Sequence, residues 1–394
     1  MEGLCTMKRL VSVLLILLLT MNVFSLQANA KEEQQKLVEN VKSAILIEKD
    51  SGQILYEENI HERLAPASMV KIMTMLLVME AIDEGTLTFE EMITTSDHAA
   101  SMGGSQIFLE PGEQMTVKQM LLGVAIGSGN DAAVALGERL AGSEESFVQM
   151  MNEKVSELGL ENTLFKTATG LPGHGDYSSA YDMSMMAKEL LKYEKITEFT
   201  GLYEAYLREG TDEKFWLVNT NKLVRFYNGA DGLKTGFTRE AGYCLTATAQ
   251  KDGMRVIAVV FGAPTSKERN AQVSKLMDFA FNQYQTHQVF DKDVSLGKVA
   301  VSKGQLKEVD AITDSKVSVL TKKGKEITDI EQKIEFKKDL KAPIKKGDKI
   351  GTLQLLQEGN VISNTPLVAK EDVKEASWWT LFKKTMGLFT KSSE

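Results

Sequence analysis

The chain is 394 residues long, 43% hydrophobic and 25% charged, with a formal net charge of −8. That length exceeds one typical domain and predicts two, and the apolar content suffices for packed cores and excludes a disordered chain. The acidic balance excludes nucleic acid as a partner.

In chain order, Lys8 and Arg9 precede an apolar run over residues 10–19, interrupted only by Ser12, and the small-residue site Ala28-Asn29-Ala30 follows. Charged head, apolar run and A-x-A site predict a secretory signal over residues 1–30, cleaved after Ala30; an uncleaved membrane anchor is the competing reading. Cys5 leaves with that segment, so Cys244 is the remaining cysteine and no internal disulfide is expected. Cys244 lies in an apolar run and reads as a small core residue. Two short apolar runs, 44–48 and 53–57, flank Asp50-Ser51-Gly52 and predict a hairpin. From about Pro66 to Gln149 the pattern is helical, with Met69, Ile72, Met73, Leu76 and Met79 at three- and four-residue steps. Strands are expected again at 244–250 and 255–261 around Asp252-Gly253, then a helix over 267–284. Strands at both ends with helices between predict one mixed sheet whose first and last strands pair, an α+β or three-layer arrangement. Composition shifts near Phe290, so residues 31–290 form one expected domain and 291–370 a small all-β domain. The stretch 376–391 predicts an amphipathic helix: at about 100° per residue, Trp378, Trp379, Phe382, Met386 and Phe389 share a half-face while Lys383, Lys384 and Lys391 stand opposite. A Trp- and Phe-rich face opposite lysines suits a helix lying in a membrane interface, too short and too charged to span it. Packing of the same face on the β-domain is the alternative.

Three short motifs carry chemistry. Ser68-Met69-Val70-Lys71 follows Pro66, which suits a helix start. The spacing of three puts Lys71 on the serine's face of the helix. A serine hydroxyl needs an adjacent base, and a lysine serves when burial or a neighbouring cation makes it neutral. One S-x-x-K is a weak signal, since about two are expected by chance in such a chain. Ser295-Leu-Gly-Lys298 is a second match, in the β-rich part, and reads as a turn. Ser128-Gly129-Asn130 follows the apolar stretch 120–126; these are ordinary turn residues, or Ser128 is a proton relay and Asn130 holds the substrate amide and Lys71. Lys234-Thr235-Gly236, followed by Phe237, reads as a strand edge that could pair with an extended peptide, with Lys234 holding a carboxylate and lowering the Lys71 pKa. Gly236 would let the substrate backbone come close.

In this order the three motifs match the set found in penicillin-binding proteins and class A β-lactamases. The chain resembles the low-molecular-mass penicillin-binding proteins, specifically the D-alanyl-D-alanine carboxypeptidases, over nearly its whole length. The resemblance extends to Ala65-Pro-Ala-Ser-Met-Val-Lys71 and Asp231-Gly-Leu-Lys-Thr-Gly-Phe237. It departs from the S-D-N form at Gly129; the S-x-N form is usual among these carboxypeptidases. The resemblance implies a penicillin-binding/β-lactamase-like catalytic domain with an antiparallel sheet plus a small all-β domain. It implies removal of the terminal D-alanine from peptidoglycan pentapeptide stems through an acyl-enzyme on Ser68, with β-lactams as covalent inhibitors. It also implies an oxyanion hole from the backbone N–H groups of Ser68 and Phe237. A carboxylate-binding arginine is implied too, for which Arg269 is the matching position; a plain surface arginine is the competing reading.

A β-lactamase is the close rival, but class A enzymes need a deacylating glutamate followed by asparagine four positions on. None of the asparagines 152, 162, 219, 221 and 228 has that partner. A non-catalytic wall-binding scaffold is the rival from another class, and intact Ser68, Lys71, Ser128, Asn130 and Lys234 argue against it. His61, His98, His174 and His287 are scattered, so no metal site and no cofactor are expected. The expected location is the outer face of the cytoplasmic membrane.

Overall fold

The computed structural model describes residues 36–325 and 329–377. The expected signal segment and nearly all of the C-terminal amphipathic stretch lie outside the described residues.

Strand β1 (Ser43–Glu48) and strand β2 (Ile54–Glu58) form the expected hairpin, with a register shift at Leu46/Ile47. The Glu48 carboxylate closes its turn by accepting from the backbone N–H groups of Asp50 and Ser51 at 3.0 and 2.7 Å. The helical stretch is several helices, not one. A 3-10 turn over Ala67–Val70 leads into the helix Lys71–Asp83, and Asn130–Ala141 and Glu144–Glu157 follow. Between them the chain leaves helical periodicity for a hairpin of β3 (Met92–Thr94) and β4 (Gln114–Thr116). The Lys71–Asp83 helix is apolar on every side: Met75, Leu77 and Val78 are buried along with Ile72, Met73 and Leu76. A helix without a polar face belongs in a core, and this one forms the centre of the domain.

A second small hairpin, β5 (Glu204–Leu207) with β6 (Phe215–Val218), precedes the closing strands β7 (Ala230–Thr238), β8 (Gly242–Lys251) and β9 (Met254–Ala263). The main sheet has the order β2-β1-β9-β8-β7, so the first strand of the domain pairs with its last, Ile45 opposite Val259. The sheet is antiparallel throughout rather than mixed, because each closing connection is a tight turn. Ile45, Ile47, Ile257, Val259 and Phe261 enter the core of the Lys71–Asp83 helix. The alternate residues Ala44, Leu46, Ala258 and Val260 are equally buried, on the side of the helix Ser266–Gln283. The sheet is therefore a middle layer, and β7 is its free edge.

The composition shift falls at Phe290; the strand β10 (Tyr284–Phe290) already pairs with β13 (Val317–Lys322). Strands β11 (Ser295–Ala300), β12 (Glu308–Thr313), β14 (Ile330–Phe336), β15 (Lys349–Gln357) and β16 (Asn360–Ala369) form a five-stranded antiparallel sheet in the order β11-β12-β16-β15-β14. Its separate core includes Val309, Ile350, Leu353, Leu355 and Leu367. Ser295-Leu-Gly-Lys298 lies within β11 and is not a turn. Each side chain is taken up by β12, Ser295 by Asp310 and Lys298 by Glu308. A register shift at Ser295/Gly297 brings both side chains to one exposed face, where Glu308 holds Lys298 in its charged form and raises its pKa, so the lysine cannot serve as the serine's base.

Phe147, fully buried in the main core, tests that packing. Phe147→Ala is expected to lower unfolding free energy by about 3–5 kcal/mol in denaturant titration, with little change in m-value.

Candidate active site

Ser68 sits on the one-turn 3-10 helix that starts the buried Lys71–Asp83 helix. The preceding Ala67 has φ +48, a strained conformation for a residue with a Cβ, and such strain persists only where the surroundings over-determine it. Two glycines supply that constraint. A Cβ at Gly236 would lie 2.6 Å from the Pro66 carbonyl oxygen, and one at Gly170 would lie 2.0 Å from that of Ala67. Only glycine permits β7 and the segment around 170 to close on the serine's turn at once.

Lys71 is fully buried, and its Nζ donates to Ser68 Oγ at 3.2 Å and to the Thr169 carbonyl at 2.8 Å. Burial pushes its pKa well below the ordinary lysine value, and the neighbouring cation Lys234 pushes the same way, with Asp131 opposing. Thr169 is presented by a tightly held turn. The Asp176 carboxylate accepts from the N–H groups of Lys166 and Thr167 at 2.8 and 3.1 Å. Glu144 accepts from Ala168 N–H at 3.2 Å, and the Thr167 hydroxyl accepts from Gly170 N–H at 2.8 Å.

Ser128 ends a π-helical turn (Gly123–Gly127) in the left-handed region, φ 62, and is buried. Asn130 opens the next helix. Its Nδ2 donates to the Gly103 carbonyl at 2.6 Å, while its buried Oδ1 has no partner. The expected hydrogen bond between Asn130 and Lys71 is not formed; Lys71 is held by Ser68 and Thr169 instead. The fully buried Asp131 braces this corner by accepting from the N–H groups of Ile107, Leu109 and Ala132.

Lys234, Thr235 and Gly236 lie on the free edge β7, as the motif predicts, with half-exposed Phe237 after them against Tyr243 at 4.3 Å. Asp231 anchors the strand's start through paired hydrogen bonds from Arg255 at 2.7 and 2.8 Å. Thr235 Oγ1 donates to Thr220 Oγ1 at 2.8 Å. Burial, aided by Arg269, pushes the Lys234 pKa down to about 7. Arg269 is only 4% exposed, so it is not a plain surface arginine; its guanidinium reaches the Asn270 side chain and its pKa is lowered to about 10 by burial. Cys244 is buried opposite Gly236, and burial raises its pKa to about 11, as suits a core thiol.

A family profile for D-alanyl-D-alanine carboxypeptidase matches residues 29–265, and one for the C-terminal domain of penicillin-binding protein 5 matches 284–375. The D-alanyl-D-alanine carboxypeptidase DacF of Bacillus subtilis is 58% identical over 388 residues, covering 98% of this chain and 100% of that protein. The chain belongs to the D-alanyl-D-alanine carboxypeptidase family. Among solved structures, penicillin-binding protein 5 of Haemophilus influenzae aligns with a TM-score of 0.66 at 31% identity, over 85% of this chain and 98% of that one. Penicillin-binding protein D2 of Listeria monocytogenes, in its ampicillin-bound form, aligns at 0.55 and 32% identity, over 61% and 98%.

Sequence reading located every motif residue but missed what holds them. Thr169 acts through its carbonyl, which no side-chain pattern reveals, although the nearby Gly170-Leu-Pro-Gly-His-Gly175 run is a visible turn signal. Asp131, Asp176 and Glu144 look like ordinary surface acids until the backbone N–H groups they cap are known.

With Lys71 as the serine's base and Lys234 as the holder of a substrate carboxylate, the roles proposed below, the lysines would set opposing pH limbs. Nucleophile activation needs neutral Lys71 and so grows as pH rises through its lowered pKa. Carboxylate binding needs charged Lys234, whose charge in the free enzyme is lost as pH rises through about 7. In kcat/KM profiles, the alkaline decline is expected for peptides ending in a free carboxylate and to be absent for their C-terminal amides.

Proposed function

We propose that the protein is a serine D-Ala-D-Ala carboxypeptidase that removes the terminal D-alanine from peptidoglycan pentapeptides. The observation that carries this reading is the Lys71 Nζ–Ser68 Oγ contact of 3.2 Å, buried beside a free strand edge that carries Lys234. The pentapeptide's end adds as a strand along β7, with its carboxylate toward Lys234 and Arg269. Neutral Lys71 takes the proton of Ser68 as Oγ attacks the carbonyl carbon of the D-Ala–D-Ala amide. The oxyanion is held by the N–H groups of Ser68 and Phe237, whose chain segments meet where Gly236 abuts Pro66. Collapse breaks the C–N bond, and the proton passes through Ser128 to the departing amine. Water then attacks the acyl-enzyme, with its proton taken up at the same base and returned to Ser68 Oγ. Asn130 holds the substrate's amide, and its unpartnered Oδ1 is the buried acceptor such an N–H would satisfy. β-Lactams acylate Ser68 by the same first step. A β-lactamase is disfavoured because the partners of Lys71 are a hydroxyl and a backbone carbonyl, with no glutamate beside them.

We further propose export and attachment to the outer face of the cytoplasmic membrane. The support is in the sequence: the apolar run with its A-x-A site, and the Trp- and Phe-rich half-face of residues 376–391. No helix among the described residues is long and apolar enough to cross a membrane.

Ser68→Ala is expected to abolish fluorescent-penicillin labelling and D-alanine release while leaving the melting transition in place; labelling that persists at Ser295 would show the wrong motif was chosen. Deleting residues 376–394 is expected to free active enzyme from membranes, read by sedimentation of each form with vesicles. A truncated form that still sediments would place the anchor in the N-terminal segment.

A further inference from the structure

Among the described residues eleven large hydrophobic side chains are exposed, and Tyr206 and Trp216 of the β5–β6 hairpin lie side by side, with Phe108 against the hairpin's Phe215. Exposed apolar groups gathered in one place mark contact surfaces. The centre of this group is the β5–β6 hairpin. Tyr206 and Trp216 are direct cross-strand partners on its outer face, while the alternating Leu207 and Leu217 are buried beneath. Both rings are held in place. The Trp216 indole donates to Glu204 at 3.1 Å, and Lys214 Nζ lies 3.9 Å from the centre of the Tyr206 ring.

The hairpin is continuous with the active site. Arg208 donates to the carbonyls of Ile107 and Phe108 at 3.1 and 3.0 Å, tying it to the loop that Asp131 braces. Beyond β6, Thr220 donates from its N–H to the carbonyl of Ile126 and accepts from Thr235 of the K-T-G motif. Trp216 lies four residues back from Thr220, at most about 13 Å away.

We infer that the outer face of this hairpin, centred on Tyr206 and Trp216, is a glycan subsite that seats the sugar carrying the stem peptide. The inference rests on the carboxypeptidase reading and deepens it. The bond cleaved in a pentapeptide follows its fourth residue, and its first residue is joined through a lactyl group to a sugar of the glycan strand. Four extended residues span about 13–14 Å. A stem whose end lies at Lys234–Thr235 is therefore long enough for its sugar to reach the outer face of the hairpin. The C–H face of a pyranose packs on an aromatic ring, and the exposed Trp216 ring offers one, with Lys214 beside Tyr206 placed to meet a carboxylate of the stem.

The test compares kcat/KM for disaccharide-linked pentapeptide with that for the free pentapeptide, in the full chain and in Trp216→Ala, Tyr206→Ala and Trp216→Phe. The ratio is insensitive to partial misfolding, which lowers both values alike. The expected result is a ratio reduced about fivefold to tenfold in either alanine variant and largely restored in Trp216→Phe. An unchanged ratio overturns the subsite. An unchanged ratio together with a sedimentation shift in Trp216→Ala overturns it in favour of a second copy of the chain on this face. Failure of the unsubstituted enzyme to release D-alanine from the free pentapeptide overturns the carboxypeptidase reading itself and the subsite with it.

Discussion

Three cationic side chains are buried in succession, Lys71 against Ser68, Lys234 beside Lys71 and Arg269 beside Lys234, and among the described residues none of them has a carboxylate ion-pair partner. Burying an unpaired ammonium is among the most unfavourable things a fold can do, and a protein meets that cost by shifting the group toward its neutral form. Here that shift is the chemistry. The same burial lowers the Lys71 pKa and leaves Lys234 and Arg269 without a carboxylate partner among the described residues, an arrangement that the proposed binding of a substrate carboxylate would complete.

Such a site needs a frame that will not relax. The Lys71–Asp83 helix supplies it by being apolar on all sides, so the serine's turn cannot rotate toward solvent without opening the core. The other walls are clamped by carboxylates spent on backbone N–H groups: Asp131 on the 107–109 segment, Asp176 and Glu144 on the turn that presents Thr169. Hydrogen bonds to a charged acceptor are stronger than neutral ones and directional, which suits them to fixing a carbonyl within reach of a lysine. Acids placed this way stabilise the frame without ion-pairing the catalytic cations.

The free edge of the sheet is the complementary constraint. An unpaired edge invites association, and natural proteins normally cover it. β7 is instead left open along Lys234-Thr235-Gly236, with Phe237 exposed after them. Substrate pairing along β7 and a glycan subsite on the hairpin, both proposals, would then share one feature, the edge that the closing antiparallel strands leave open.

Much of this was legible in the chain alone. Ser68, Lys71, Ser128, Asn130 and Lys234 carry polar or charged side chains at fixed local spacings, so motif and residue type single them out as candidates, and apolar runs bounded by turn residues place β1, β8 and β9 to within about two residues. The pairing of β1 with β9 followed from there being strands at both ends. Other features were decided only by tertiary structure. That Ser295-Leu-Gly-Lys298 is inert depends on the neighbouring strand, whose Glu308 and Asp310 engage the two side chains and keep Lys298 charged. That Arg269 belongs with Lys234 depends on burial, which four-residue windows do not encode. The Thr169 carbonyl, the clamping acids and the need for glycine at 170 and 236 are backbone matters: any residue has a carbonyl and an N–H, and only the fold determines which of them meet.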